Sequence, residues 1–254
     1  MNRNLAWQIV TVLAIAATIV VNILANALPI AGRTTADVSD SFDVLFVPAG
    51  YVFSIWGLIY LGLVAFAVYQ LLPAQRDDAR LTAIRPLVVL SCAANSVWIW
   101  FWHNLQFEWT FVLMLILLAS LIAIYLRLGI GNAGTIGLER WVVDAVFSLY
   151  LGWISVATIA NVTIVLDHLG WSGFGISDEV WAVALLAVGV LLAVLMAVRH
   201  ADWIYALVLA WAFAGIGVSQ SGTAVVTPAY LASAACVLCA AYVWLAGWRR
   251  RGAA

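Results

Sequence analysis

The chain has 254 residues, of which 66% are hydrophobic and only 9% charged, with a formal net charge of −1. A soluble chain of this length needs a polar surface that so few polar residues cannot supply, so most of it must be solvated by lipid. Lysine is absent, all 11 basic residues being arginine, which excludes a lysine Schiff base and with it covalently held retinal or pyridoxal.

Eight apolar runs approach the length of about 20 residues that crosses a bilayer. They lie at roughly 6–29, 48–72, 84–103, 108–127, 140–166, 179–198, 203–219 and 226–247. No strand alternation persists long enough for a barrel. The expected fold is therefore all-α, a polytopic transmembrane bundle of about eight helices. The first run has Arg3 before it and Ala25-Asn26-Ala27 near its end, which imitates a signal peptide. It is longer than a signal core and carries Asn22 and Asn26 one turn apart, so a retained first helix is expected. The second run sets Phe53, Trp56 and Tyr60 on one face, and the third does the same with Asn95, Trp98 and Trp102. Leu121, Tyr125 and Arg127 at the end of the fourth fit a loose sterol-contact pattern that is frequent by chance.

The fifth run presents Tyr150, Trp153, Ala157 and Asn161 at spacings of three, four and four. That places a phenol, an indole, a small gap and a carboxamide along one side of a helix. Asp144 is the one acid well inside a run, with Arg140 a turn earlier, and an i,i+4 ion pair is its ordinary explanation. A proton relay would need a second buried acid, and none is expected. The seventh run is short, and Gly215, Gly217, Gly222 and Pro228, at its end and beyond it, could mark an interrupted segment. Cys236-x-x-Cys239 in the eighth has no second pair and reads as two small packing residues.

Arginine placement orients the bundle. Starting inside, the cytoplasmic segments hold Arg3, then Arg76, Arg80 and Arg85, then Arg127 and Arg140, then Arg199, and finally Arg249 to Arg251. Only Arg33 falls outside, where the loops carry Asp37, Asp40, Asp43, Glu108, Asp167, Asp178 and Glu179. Both termini are expected in the cytoplasm, in a multi-pass protein of the inner or plasma membrane. Trp7, Trp109, Trp141, Trp171, Trp181, Trp203 and Trp248 near the run ends read as interface anchors.

With this orientation Asn22, Asn26, Asn95, Asn161 and Trp56 share the outer half of the bilayer. Taken singly, each Asn reads as an interhelical hydrogen bond worth about 0.6–2 kcal/mol. Their convergence at one depth among indoles reads as an intramembrane pocket. His103, His168 and His200 lie in three separate connections without ligand spacing, and no phosphate-binding glycine motif stands before a helix. Catalysis has little support, and no nucleic-acid partner is expected.

Three stretches carry a family resemblance. Pro48-Ala49-Gly50-Tyr51-Val52-Phe53 followed by Trp56 and Tyr60, then Asn95 with Trp98, then Tyr150, Trp153, Ala157 and Asn161, resemble the signatures of helices 2, 3 and 5 in the TspO/MBR family. That family comprises the tryptophan-rich sensory proteins and the mitochondrial translocator, or peripheral benzodiazepine receptor. The resemblance covers residues 1–167, a five-helix unit, and leaves 168–254 as three additional helices with a basic tail. Ala49 and Tyr51 stand where the family carries proline and tryptophan, one residue is missing between Phe53 and Trp56, and Leu149 replaces a proline. Val162 stands where members reported to degrade porphyrin have tryptophan, which argues against photochemical breakdown.

The resemblance implies a flat hydrophobic ligand, a tetrapyrrole such as protoporphyrin or haem. Its candidate contacts are Asn22, Asn26, Phe53, Trp56, Tyr60, Asn95, Trp98, Trp102, Tyr150, Trp153, Ala157 and Asn161. The loop from Gly32 to Phe46 is either a lid on the outer mouth or a solvated connector. The expected partners are the lipid bilayer, a small hydrophobic ligand and a second copy of the chain in a homodimer. The alternative function is a small secondary transporter of a hydrophobic or weakly polar solute, which broken helices would favour.

Overall fold

The computed structural model describes residues 3–28, 30–131 and 134–252, with side chains up to residue 247. Trp248 and Arg249 to Arg251 thus lie outside the described side chains. Eight long helices follow the eight apolar runs: α1 (Arg3–Ala27), α2 (Ile55–Leu71), α3 (Ala79–His103), α4 (Phe107–Leu128), α5 (Ala145–His168), α6 (Asp178–His200), α7 (Trp203–Ser219) and α8 (Thr223–Gly252). Seven helical segments are long and apolar enough to cross a membrane, and α7 is a shorter apolar helix. The protein is a multi-pass, all-helical membrane bundle.

Five helices close into a ring: α1 packs on α2 and α3, α3 on α4, α4 on α5, and α5 returns to α2. Helices α6, α7 and α8 pack on one another, and α7 joins this layer to α5. Lipid tails are as apolar as leucine, so close backbone approach at small residues has to do much of the work between helices. Gly62 meets Val146 between α2 and α5, Gly152 meets Val208 between α5 and α7, and Gly189 meets Phe213 between α6 and α7. Gly215 and Gly217, the suspected interruption, sit inside a continuous α7. They give room to Val52 and Tyr230. Cys236 is fully buried and Cys239 Sγ lies 4.0 Å from the Ala193 carbonyl, so this pair does pack α8 against its neighbours.

At the arginine-rich end the buried polar groups pair off. Gln8 and Gln70 exchange amide-to-carbonyl bonds between α1 and α2. Arg85 is fully buried yet donates to the Gln70 side chain, Thr82 Oγ1 and the carbonyls of Gln75 and Arg76. Asp144 pairs with Arg80 of α3 at 2.9 Å, and Arg80 also engages Glu139 and the Leu128 carbonyl. The expected Arg140–Asp144 pair is absent among the described residues. Arg140–Asp144 forms a π-helical turn, which shifts the register on which an i,i+4 contact depends.

A second buried acid exists after all. Asp202, 6% exposed, caps α7 through the amides of Ile204 and Tyr205 and accepts from Ser148 and from Tyr125 at 2.8 Å. Tyr125 and Leu121 are therefore inside the bundle, so the sterol-like pattern on α4 does not face lipid.

Candidate functional site

The half of the ring away from the arginine-rich end is different. Asn22 of α1 donates to Asn95 Oδ1 of α3 at 2.8 Å, spending its second proton on the Thr18 carbonyl. One turn below, Thr18 Oγ1 bonds the Cys92 carbonyl and Ser96. Across the ring Asn161 Nδ2 of α5 donates to Thr110 Oγ1 of α4 at 2.9 Å. These bonds use one end of each carboxamide and leave the other open. Asn95 Nδ2 and Asn161 Oδ1 are buried without a hydrogen-bond partner, as are Tyr60 Oη, Trp98 Nε1, Trp153 Nε1 and His103 Nδ1. An unmet buried polar group costs roughly 1–3 kcal/mol, and five of these six atoms belong to residues on the faces singled out from the sequence.

Aromatic rings knit the same region together. Trp56 stacks on Tyr60 at 5.5 Å and meets Tyr150 and Trp153 edge-on at 5.9 and 6.2 Å. Phe53 meets Trp153 edge-on at 5.8 Å. On α3 Trp98 and Trp102 stack at 5.0 Å. Asn22, Asn95, Trp98, Trp102, Tyr150, Trp153 and Asn161 are buried, while Phe53, Trp56, Tyr60 and Ala157 are half-buried. The space between α2 and α5 is filled by these rings against one another. Neither of two cavities of about 600 and 620 Å³ elsewhere in the bundle is lined by any of the twelve candidates.

Asn26 is placed differently from the rest. It is exposed, donates to the Asn22 carbonyl, and accepts from the Thr35 amide at 3.4 Å. It serves the outer loop. That loop forms a short helix, Thr35–Asp40, with a capping box in which Thr34 and Asp37 satisfy each other's backbone amides. Thr35 is also held by His103 Nε2 at 3.0 Å and gives its carbonyl to Trp102 Nε1 at 3.1 Å. Val38 and Phe46 are buried, so the segment is packed on the ends of α1 and α3 away from the arginines rather than solvated. The Thr34 amide and hydroxyl hold the Asp37 carboxyl below its ordinary range, while burial pushes the Asp40 carboxyl up.

The segment bearing the first resemblance, Val47 to Phe53, is clasped from outside by α7. Ala49 N–H donates to the Gly215 carbonyl at 3.1 Å, Ser219 Oγ to the Val47 carbonyl, and Trp211 Nε1 to the Val52 carbonyl. A sequence model of the TSPO-like protein family matches residues 8–245. The chain belongs to the TSPO-like family. No curated protein and no solved structure shows a match. The matched span begins in α1 and ends in α8, so it includes the α7 clasp as well as the ring.

His103 and Asp202 are the informative residues that sequence reasoning did not place. His103 closes α3 onto the loop helix, and its lone position in a connection gave no hint of that. Asp202 did leave a trace, because an acid immediately before an apolar run is a helix-start signal.

Proposed function

We propose that the outer half of the five-helix ring binds a flat, largely apolar molecule with a hydrogen-bonding rim, of the tetrapyrrole class. The observation that carries this reading is the set of five buried, partnerless polar atoms on Tyr60, Asn95, Trp98, Trp153 and Asn161. Four of them can donate and Asn161 Oδ1 accepts, on faces that also carry indole and phenol rings, and a planar π-system with polar edges answers both features. In this reading the ligand replaces ring–ring contacts of Trp56, Tyr150 and Trp153, and the loop helix over α1 and α3 acts as the lid. Residues 1–167 form the binding unit, and 168–254 brace the entry to α2.

The orientation belongs to the same proposal. Arginines gather at one end of the bundle and acidic loops at the other, so the termini are placed in the cytoplasm and the lid outside. Cysteines introduced at Ser41 and Gly252 then label from opposite sides of intact cells. The transporter alternative would draw on broken helices in an inverted repeat; α7 is continuous from Trp203 to Ser219, and the helical path stops at 220–222 before α8.

The test is titration of the purified protein with protoporphyrin, followed through the porphyrin's own absorbance. Loss of a reporter indole then cannot imitate loss of binding. Affinity should fall several-fold in Trp153→Phe and Ala157→Leu and stay unchanged in Trp203→Phe, which lies at the opposite end. Equal binding by all three variants would refute the site.

A further inference from the structure

Two cavities are untouched by the ring reading, one running along α2 from Ser54 towards Trp141 and Trp203, the other at the arginine-rich end. One is an apolar groove of about 600 Å³ where α2, α5 and α7 meet, with Leu58, Gly62, Ala65, Leu149 and Leu207 among its lining. Leu58 and Leu207 are exposed, so the groove opens to lipid. The other is a polar cavity of about 620 Å³ that contains Arg140, Asp144, Ser148 and Asp202. Trp141, Ala145, Trp203 and Ile204 line both, so the two spaces share a wall.

The charges in the polar cavity are unevenly committed. Asp202 is taken up by Ser148, Tyr125 and two backbone amides, and Asp144 and Glu139 are both engaged by Arg80. Arg140 is half-buried, and among the described residues its side chain has neither an ion pair nor a hydrogen bond. Its guanidinium offers five donors in a fork that matches a phosphate. A cation without an ion pair, in a polar cavity that shares a wall with a lipid-facing apolar groove, suits an amphiphile with an anionic head.

We infer that this double cavity is a glycerophospholipid site, with an acyl chain in the α2–α5–α7 groove and the phosphate on Arg140. Basic pockets between helices at the arginine-rich side are suited to lipid headgroups. The site is specific to the junction of ring and layer, because α7 supplies one wall of the groove. It shares no residue with the proposed tetrapyrrole contacts, so either can fail alone.

The experiment uses the full chain in detergent and native mass spectrometry. Phosphatidylglycerol, diacylglycerol with the same chains, and free glycerol phosphate are compared. Phosphatidylglycerol adducts should persist where the other two are lost. Arg140→Gln should weaken phosphatidylglycerol retention roughly tenfold, the loss expected for one charge-assisted contact. Ala65→Phe, which fills the groove, should weaken it with Arg140 intact. Equal retention of diacylglycerol, or an unchanged Arg140→Gln, would overturn the headgroup assignment. Equal retention of glycerol phosphate would overturn the groove.

Discussion

The buried faces of α6, α7 and α8 are apolar and rich in small residues, such as Ala182, Ala193, Ala206, Ala212, Ala229 and Ala240, with Gly189, Gly215 and Gly217 at the closest approaches and Leu186, Leu209, Phe213 and Ile216 filling the space between. The buried faces of α1 to α5 carry Asn22, Asn95, Trp98, Tyr150, Trp153 and Asn161. None of the six partnerless buried polar atoms lies in the layer. A layer that only has to hold together in lipid does best with close, featureless contacts. Polar atoms kept without partners reduce stability, and a fold retains them where something else supplies the partner. On the proposed function, this contrast assigns recognition to the ring and support to the layer.

The sharpest way to break that division is at its seam. A Cβ on Gly215 would stand 2.2 Å from Val52 Cγ2 and 3.2 Å from Pro48, and Val52 is β-branched and stiff. Gly215→Leu should push α7 off the entry to α2 and destabilise the protein by about 3 kcal/mol or more. Thermal aggregation followed by size-exclusion chromatography reads this directly. If the layer is independent of the ring, the variant melts like the parent.

The second seam is Asp202, which ties α4 and α5 of the ring to the start of α7. Asp202→Ala should cost about 2–3 kcal/mol, because Ser148 and Tyr125 lose an ionised acceptor and the helix loses its cap. Loss of stability should come with little change in porphyrin affinity. A fall in affinity at unchanged stability would place this acid in the recognition machinery instead.

Within the ring the expected sign reverses. Asn161→Leu keeps the branched shape and the number of side-chain heavy atoms and removes a partnerless buried oxygen, at the expense of one bond to Thr110, whose own proton still goes to the Phe107 carbonyl. Stability should be unchanged or higher by up to about 1 kcal/mol, while porphyrin binding weakens. A variant clearly less stable than the parent would mean that Asn161 is interhelical glue.

The eight spans were legible because apolar length is a strong signal in lipid. The faces Asn95–Trp98–Trp102 and Tyr150–Trp153–Asn161 were legible because helical spacing alone decides which residues share a side. Asn26 was not, since one further turn carried it past the packed region to the loop. The Arg80–Asp144 pair was hidden by the π-turn, a register change that no periodicity announces. Asp202 and the Thr34–Asp37 capping box did leave helix-start signatures, Asp before an apolar run and Thr-x-x-Asp, which a search centred on spans passes over. Packing between ring and layer was illegible, because glycines in α7 look alike whether they break a helix or admit a neighbour.

The smallest effect concerns the lid, and its sign can be worked out. Asp37 sits below its ordinary value of 3.8 because the Thr34 amide and hydroxyl bond its charged form. Its contribution to the loop helix is therefore complete above that value and is lost as pH falls through the depressed folded value. Asp40 is raised first by burial and then by the charge of Asp37, so its ionised form opposes the helix, and acidification relieves that cost. The two acids, three residues apart, pull in opposite directions, and the parent loop should show only a shallow pH response between about pH 5 and 3. Asp37→Asn removes one of them. In that variant the loop should be looser at neutral pH and should tighten as Asp40 protonates, read as slower proteolysis or hydrogen exchange across residues 34–41. If acid instead loosens the variant, the lid is held by something other than its cap, and the bonds from Thr35 to His103, Trp102 and Asn26 become the place to look.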